Sequence, residues 1–365
     1  MSAHKLLGEV FSVEDRFRRS VNLTADYRRN RALYGYVVTP LVGGVLERIG
    51  AGLGQGALNR AWSITGPYGT GKSACAVFIG QVLGYPINDA ARDLLRSGIP
   101  DVARGLFSSV PGLKEGGFLI VPVVGSRQPL ARTLLWGLAE AMEGLAVRTP
   151  ALEEQHRRVV ALYERSERGE DIASPEVTEA VERTAAMARR EVPGVLGLLL
   201  MVDELGKALE YAALHPGGTD VGLLQTLAET AARSHDPAIG LVTILHQAFE
   251  HYADRLGPLE RREWAKVQGR FEDLAFQQSG GELLSLIGRA IRPQEMDRTL
   301  RAAIEEEVEE ARRLGVLPND LDSPAAMEAL QRCAPLHPSV TLVLGRLFRS
   351  RLAQNERSLF AFLSS

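Results

Sequence analysis

Five short apolar runs along the chain are separated by longer segments with the 3.6-residue apolar period or the composition of helices. The runs are β-prone or continuously apolar, which is typical of strands buried on both faces of a sheet. Because strands that alternate with helices form parallel sheets covered on both sides, the pattern predicts an α/β fold with a five-stranded parallel sheet. The predicted strands span residues 61–65, 117–124, 196–202, 239–245 and 271–276.

The segments between these strands predict helices. One follows the first strand directly, and the region 86–114 is divided into helical pieces by Pro100 and Pro111. Residues 147–192 are strongly charged and nearly free of aromatic residues, so they predict a helical hairpin inserted into the core fold. The other predicted helices cover residues 129–142, 223–233 and 249–268.

From residue 279 onwards every segment predicts helix, including the Glu/Arg-rich stretch 296–314. A glycine-rich connector at 50–56 separates the N-terminal segment from the first strand. The predicted organisation is an N-terminal segment at 1–60, an α/β core at 61–278 with the insertion at about 147–192, and a helical lid at 279–365.

Composition narrows the class of protein. The 365 residues are 45% hydrophobic and 24% charged, as in an ordinary globular protein, and the net charge of −3 offers no argument for nucleic-acid binding. Two distant cysteines, Cys75 and Cys333, have no metal-ligand spacing. With no secretory leader and no apolar run long enough to span a bilayer, we expect a cytoplasmic protein without membrane contact.

One motif carries the chemistry. Gly66-Pro67-Tyr68-Gly69-Thr70-Gly71-Lys72-Ser73 matches G-x-x-x-x-G-K-[ST] between a predicted strand and a predicted helix, which is the context of a phosphate-binding loop. Its glycines let backbone N–H groups approach phosphates. Lys72 is expected to reach the β- and γ-phosphates of ATP, and the Ser73 hydroxyl to ligate Mg²⁺. Cys75, in the helix that follows, belongs to the nucleotide-binding stretch, with its thiol expected in the core.

The third strand runs into Asp203-Glu204, a candidate for the second nucleotide motif. We expect this strand to lie beside the phosphate-loop strand, so that Asp203 holds Mg²⁺ through water and Glu204 activates the attacking water as a general base. The alternative is an ordinary acidic turn. A small-molecule kinase needs no such glutamate, because its nucleophile is the substrate.

Two further positions are candidates for catalysis. The fourth strand ends at Thr243-Ile244-Leu245-His246-Gln247, where His246 or Gln247, and less favourably Thr243, could contact the γ-phosphate or the water. A polar helix cap is the alternative at that position. Arg270 stands immediately before the fifth strand and is either a catalytic arginine or a surface arginine at a helix C-terminus.

With these motifs in this order, nearly the whole chain resembles the AAA+ superfamily of P-loop ATPases, closest to its initiator and STAND-like clades. The resemblance implies that Arg270 acts as a finger on the nucleotide of a neighbouring subunit. It also implies that residues 36–40 lie near the adenine and that Arg346, in the lid, is the second sensor.

A narrower likeness is to the ATPase region of large prokaryotic phage-defence proteins of the bacteriophage-exclusion type. It rests on segments 202–207, 245–249, 263–271 and 354–360. Two features depart from it: the long interval between Lys72 and Asp203, and the end of the chain just after the lid, whereas those proteins continue further.

The resemblance implies an ATP-hydrolysing module, with Mg²⁺ as cofactor, that couples turnover to oligomer assembly or to remodelling of partners. The implied partners are further copies of the chain, DNA and defence-system proteins. One alternative is a signalling switch in which ATP-for-ADP exchange drives oligomerisation and hydrolysis is incidental. The other is a phosphotransferase acting on a small molecule.

Overall fold

The computed structural model describes residues 6–29, 31–57, 59–215, 220–247, 252, 258–294, 296–317, 323–347 and 363. The chain forms two compact units. The larger comprises Val21–Gly66 and Gly71–Phe276, and the smaller comprises Met1–Ser20, Pro67–Thr70 and Gln277–Ser365. This division differs from the predicted one, because residues 21–60 belong to the larger unit and the first 20 residues to the smaller.

The secondary structure of the described residues is as follows. The strands are β1 (Phe11–Val13), β2 (Ala61–Thr65), β3 (Gly117–Val124), β4 (Val195–Asp203), β5 (Ala238–Leu245), β6 (Glu272–Ala275) and β7 (Ile291–Pro293). The helices are α1 (Leu7–Val10), α2 (Asp15–Arg18), α3 (Leu23–Tyr27), α4 (Pro40–Leu53), α5 (Lys72–Leu83), α6 (Asp89–Gly98), α7 (Pro100–Ser109), α8 (Leu130–Glu143), α9 (Pro150–Glu167), α10 (Ser174–Glu191), α11 (Leu205–Leu214), α12 (Asp220–Arg233), α13 (Pro258–Gln268), α14 (Gly280–Ala290), α15 (Arg298–Arg313), α16 (Pro324–Gln331) and α17 (Pro338–Leu347).

The larger unit is built on the predicted five-stranded parallel sheet, and its α/β class is confirmed. The strand order is β3-β4-β5-β2-β6, with every adjacent pair parallel. The expectation that the strand ending at Asp203 lies beside the phosphate-loop strand is wrong, because β5 pairs with both and separates them. The carboxyl end of β5 is therefore placed between those of β2 and β4.

Apolar side chains cover both faces of this sheet. On one face α4, α5, α6 and α7 contribute to a buried cluster that includes Trp62 and Phe78. On the other, α8, α9, α10 and α12 form a second cluster with β3 and β4. The segment 147–192, expected as an insertion, contains α9 and α10, and its residues Val159, Val177 and Val181 are fully buried in that second cluster. This helix pair therefore covers the sheet.

The smaller unit contains a two-stranded sheet whose strands are far apart in the sequence. β1 and β7 are antiparallel, with Phe11 opposite Pro293 and Val13 opposite Ile291. The expectation that every segment after residue 279 is helical is wrong at β7. This strand pairs with β1, near the N-terminus, and the sequence around residues 291–293 carries no local signal of that pairing. At the start of α14, Ser279 and Glu282 form a capping box.

Two expectations fall partly or wholly outside the described residues. Of the helix predicted at 249–268, α13 accounts for Pro258–Gln268, while positions 249–251 and 253–257 are outside. The segment 354–360, which contributed to the narrower likeness, is also outside. Among the described helices, none is both long and apolar enough to cross a membrane.

Candidate functional site

The loop that joins β2 to α5 adopts the backbone that its glycines permit. Gly69 has a φ of 72° and Gly71 a φ of 92°, both in the left-handed region that other residues rarely enter. A Cβ at Gly71 would meet no atom within 4 Å, so the need for glycine there is conformational rather than steric. The Thr70 hydroxyl donates to the Pro67 carbonyl at 2.9 Å, which closes the turn, and the Tyr68 side chain is exposed.

Lys72 is the first residue of α5, and its side chain points back at Gly66. Its side chain is buried, and Nζ donates a hydrogen bond to the Gly66 carbonyl at 2.5 Å. Burial lowers the pKa of Lys72 to about 8, although the nearby Asp203 carboxylate opposes the shift. The chain thus holds a lysine of reduced basicity where the motif requires a cation.

Ser73 and Asp203 come from distant parts of the sequence and are in direct contact. Asp203 ends β4, is 3% exposed and accepts a hydrogen bond from the Ser73 hydroxyl. Burial raises the pKa of Asp203, whereas that bond and a 2.8 Å bond from the Glu204 amide to Oδ1 oppose the rise. A hydroxyl and a carboxylate are oxygen donors that suit Mg²⁺, which is commonly held by few protein ligands together with phosphates and water. In the described part of the chain, no group of three His, Cys, Asp or Glu side chains forms a metal site by itself.

Glu204 has an uncommon backbone conformation. With φ 51° and ψ 35°, it is the only non-glycine residue with a positive φ among those that the structure describes. A left-handed residue costs about 1–2 kcal/mol, and such strain often accompanies functional sites. Gly125, just after β3, allows the bend: its amide donates to the Asp203 carbonyl at 2.7 Å, and a Cβ there would lie 2.4 Å from the Glu204 carbonyl oxygen.

Lys207 is a member of the site that the motifs do not reveal. It lies one turn into α11, and its Nζ donates to Glu204 Oε2 in an ion pair. Its spacing of three residues from Glu204 would have been a signal if a helix had been predicted after the third strand, because such a spacing brings side chains together on one helix face; α11 was not predicted.

His246 follows β5, so the strand order places it between the strand ends that carry Lys72 and Glu204. Burial, with Lys72 and Lys207 nearby, lowers the pKa of His246 to about 4. The imidazole is therefore neutral at pH 7 and acts as a hydrogen-bonding group rather than a cation. Of the two alternatives, Gln247 is exposed, and Thr243 is buried within the sheet, where its hydroxyl donates to the Trp62 carbonyl at 3.2 Å.

Arg270 lies between α13 and β6, as expected, and forms an ion pair within its own chain. Its Nη2 is 2.9 Å from Oε1 of Glu229, which is on α12, and its side chain is about half exposed. The same Glu229 oxygen accepts a hydrogen bond from Gln225 Nε2 at 3.0 Å. Any role for Arg270 on another subunit would require it to leave Glu229.

The remaining candidates lie elsewhere or contribute through the backbone. The Cys75 thiol is fully buried, hydrogen-bonded to Tyr36, and burial raises its pKa to about 12. Tyr36, expected near the adenine, packs its ring on Phe78 with centroids 5.1 Å apart. Arg346 lies within α17 in the smaller unit, and its side chain is outside what the structure describes.

No protein-family model, curated protein or solved structure matches this chain. Its function is therefore inferred from the residues of the site.

Proposed function

We propose that this chain is an ATPase that binds Mg²⁺-ATP at the loop 66–73 and hydrolyses it. The observation that carries the proposal is the contact between Ser73 and Asp203, with Lys72 close by and Glu204 adjacent in the chain. A complete phosphate-loop motif, a buried lysine and a paired carboxylate and hydroxyl together provide for a polyphosphate and its metal ion.

Each residue has a distinct part in this reaction. Lys72 neutralises the β- and γ-phosphate oxygens, and Ser73 and Asp203 would hold Mg²⁺, which would supply further positive charge. Glu204 accepts a proton from a water molecule as the water oxygen attacks the γ-phosphorus. The bond from that phosphorus to the β–γ bridging oxygen breaks, which releases ADP and inorganic phosphate. Neutral His246 is placed to hydrogen-bond the γ-phosphate or the water.

Two ion pairs favour slow hydrolysis by the isolated chain. Lys207 occupies one carboxylate oxygen of Glu204, and Arg270 is paired with Glu229. We therefore propose that turnover is coupled to self-association, in which Arg270 exchanges Glu229 for the nucleotide of a neighbouring copy. The resemblance of the sequence adds DNA and defence-system proteins as proposed partners.

Glu204→Gln provides the test, because it keeps the shape of the side chain and removes the base. The variant should bind ATP as the wild type does and release phosphate at least about 100-fold more slowly, given the usual contribution of a general base. Glu210→Gln is the matched control: Glu210 lies on the same helix and is paired with exposed Arg127. Normal phosphate release by Glu204→Gln would contradict hydrolysis through Glu204 and would favour a phosphotransferase or a passive nucleotide-binding module.

A further inference from the structure

A second feature of the larger unit has the construction of a binding site. A groove of about 380 Å³ lies between α6, α7 and the turn before β3, and none of these segments contributes to the nucleotide site described above. Its volume is near the lower end of the range of small-molecule pockets. The groove is lined by Arg96, Pro100, Ala103, Arg104, Phe107, Ser108 and Lys114.

The lining combines positive charge with an apolar floor. Arg96, Arg104 and Lys114 come from three different segments, and no acidic side chain is among the lining residues. Phe107 and the α7 residues on the same helical face form the apolar part. The Arg96 guanidinium stands over the Phe107 ring, 5.1 Å from its centroid, so a flat ligand group could stack on the outer side of that arginine.

A buried arginine holds these parts in place. Arg92 is 1% exposed, and its guanidinium donates to the carbonyls of Val82, Lys114 and Gly116 at 3.1, 3.2 and 2.7 Å. Arg92 also lies 5.6 Å from the Phe107 ring centroid. The turn that carries Lys114 is therefore tied to α5 and α6, which makes the arrangement of the groove preformed rather than accidental.

The surrounding charges favour a compact ligand over a long polyanion. Asp93 pairs with Arg96 at 2.7 Å and Asp101 pairs with Arg104, and Glu115 follows Lys114 in the chain. These acids interrupt any extended positive path that a nucleic-acid strand would need. Both ion pairs are largely exposed, and such pairs contribute little, so a phosphate group can replace the aspartates as the partner of the arginines.

We propose that this groove binds a small organic phosphate that carries a planar ring. The phosphate is held by Arg96, Arg104 and Lys114, and the ring lies against Arg96 and the apolar residues around Phe107. This site is independent of the phosphate loop and of the proposed hydrolysis.

Pyridoxal 5′-phosphate is a suitable probe, because it has a phosphate, a planar ring and an aldehyde that reports its position. The aldehyde condenses with a lysine ε-amine and releases water, and borohydride reduces the imine to a stable secondary amine. Peptide mass spectrometry of the full-length protein then measures the label on Lys114 relative to exposed Lys266. Lys72 is read from a separate peptide, so labelling at the phosphate loop does not affect the result.

At low probe concentration Lys114 should be labelled in preference to Lys266, and Arg96→Ala/Arg104→Ala should reduce that label at least about tenfold, since two charge-assisted contacts are lost. Arg157→Ala/Arg158→Ala, which alters two exposed arginines of α9, should leave it unchanged. GMP should compete at concentrations at which inorganic phosphate does not.

Four results would overturn the proposal. Equal labelling of Lys114 and Lys266, or labelling of Lys114 that the groove variant does not reduce, would show that no site exists. Equal competition by GMP and inorganic phosphate would remove the role of the ring. Competition by a twelve-nucleotide DNA strand but not by GMP would assign the groove to nucleic acid. Thermal unfolding confirms that the variants, all at exposed positions, remain folded.

Discussion

The lowered pKa of Lys72 leads to a quantitative prediction for nucleotide binding. In the folded chain burial brings this pKa to about 8, while Asp203 limits the shift. Bound phosphates would stabilise the charged lysine and raise its pKa above the range tested. The nucleotide then binds mainly to the protonated form, so affinity follows the protonated fraction of Lys72 in the free protein.

With a pKa of about 8, Lys72 is roughly 91% protonated at pH 7 and roughly 9% at pH 9. The affinity for Mg²⁺-ATP should therefore fall by about tenfold over these two pH units, which corresponds to about 1.4 kcal/mol. A lysine with its ordinary pKa of 10.5 would give almost no change over the same range. His246, with its pKa near 4, titrates well below this window.

Equilibrium binding of a non-hydrolysable ATP analogue, at constant Mg²⁺ and ionic strength from pH 7 to 9.5, measures this slope. Lys72→Arg is the matched control, because a guanidinium stays charged throughout. Its affinity is expected to be weaker but independent of pH. A flat profile for the wild type, or the same slope for Lys72→Arg, would refute the role of Lys72 as the titrating phosphate ligand.

Three further predictions follow from the described contacts. Arg270→Ala should bind ATP but lose the part of the hydrolysis rate that rises with protein concentration. Glu229→Gln, which removes the ion-pair partner of Arg270, should increase that part of the rate. Phosphate-release assays that show neither change would exclude a role for Arg270 on a neighbouring subunit. As the pH falls from 6.5 to 4, His246→Gln should lose less stability than the wild type. The pKa of His246 is about 4 in the folded chain and higher in the unfolded chain, so unfolding of the wild type takes up a proton in this window. Urea unfolding at several pH values measures the difference. Val181→Ala, at a fully buried position of α10, should cost about 2 kcal/mol in the free energy of unfolding, and the exposed neighbour Glu182→Gln almost nothing; an equal effect of the two would mean that the valine face of α10 does not belong to the core.

Local signals were sufficient for the elements of the larger unit. The apolar runs marked β3, β4 and β5 to within a residue, and the glycines with Lys72 and Ser73 located the turn into α5. The position of β5 between β2 and β4 depends on contacts between segments far apart in the chain, which a single sequence does not encode in any local pattern. The same is true of the pairing between β1 and β7.

Composition predicted the two helices of the segment 147–192 but not that one face of each is packed into the apolar core. Its many charges lie on exposed helix faces, while Val177, Val181, Ala185 and Ala188 recur every three or four residues and form a buried stripe. The left-handed backbone conformation of Glu204 could not be predicted from the sequence either, since glutamate rarely adopts that conformation. The ion pair with Lys207 depends on α11, a helix that was not predicted, so the spacing of the two residues gave no usable signal.

Because β5 lies between β2 and β4, it also determines the distance between those two strands. Neighbouring strands are about 4.8 Å apart, so β2, which leads into the loop before Lys72, and β4, which leads into Glu204, are separated by roughly 9.6 Å across the sheet. Side chains from the two sides bridge that interval where Ser73 meets Asp203, and under the proposed function Lys72 and Glu204 would act on the phosphoryl group and the water from opposite sides of it. Hydrogen bonds from β5 to β2 and β4 hold this separation constant, so under the proposed function the sheet would space the group that neutralises charge from the group that accepts the proton. Changes in the surrounding loops would leave this spacing intact, because the spacing depends only on the pairing of the strands.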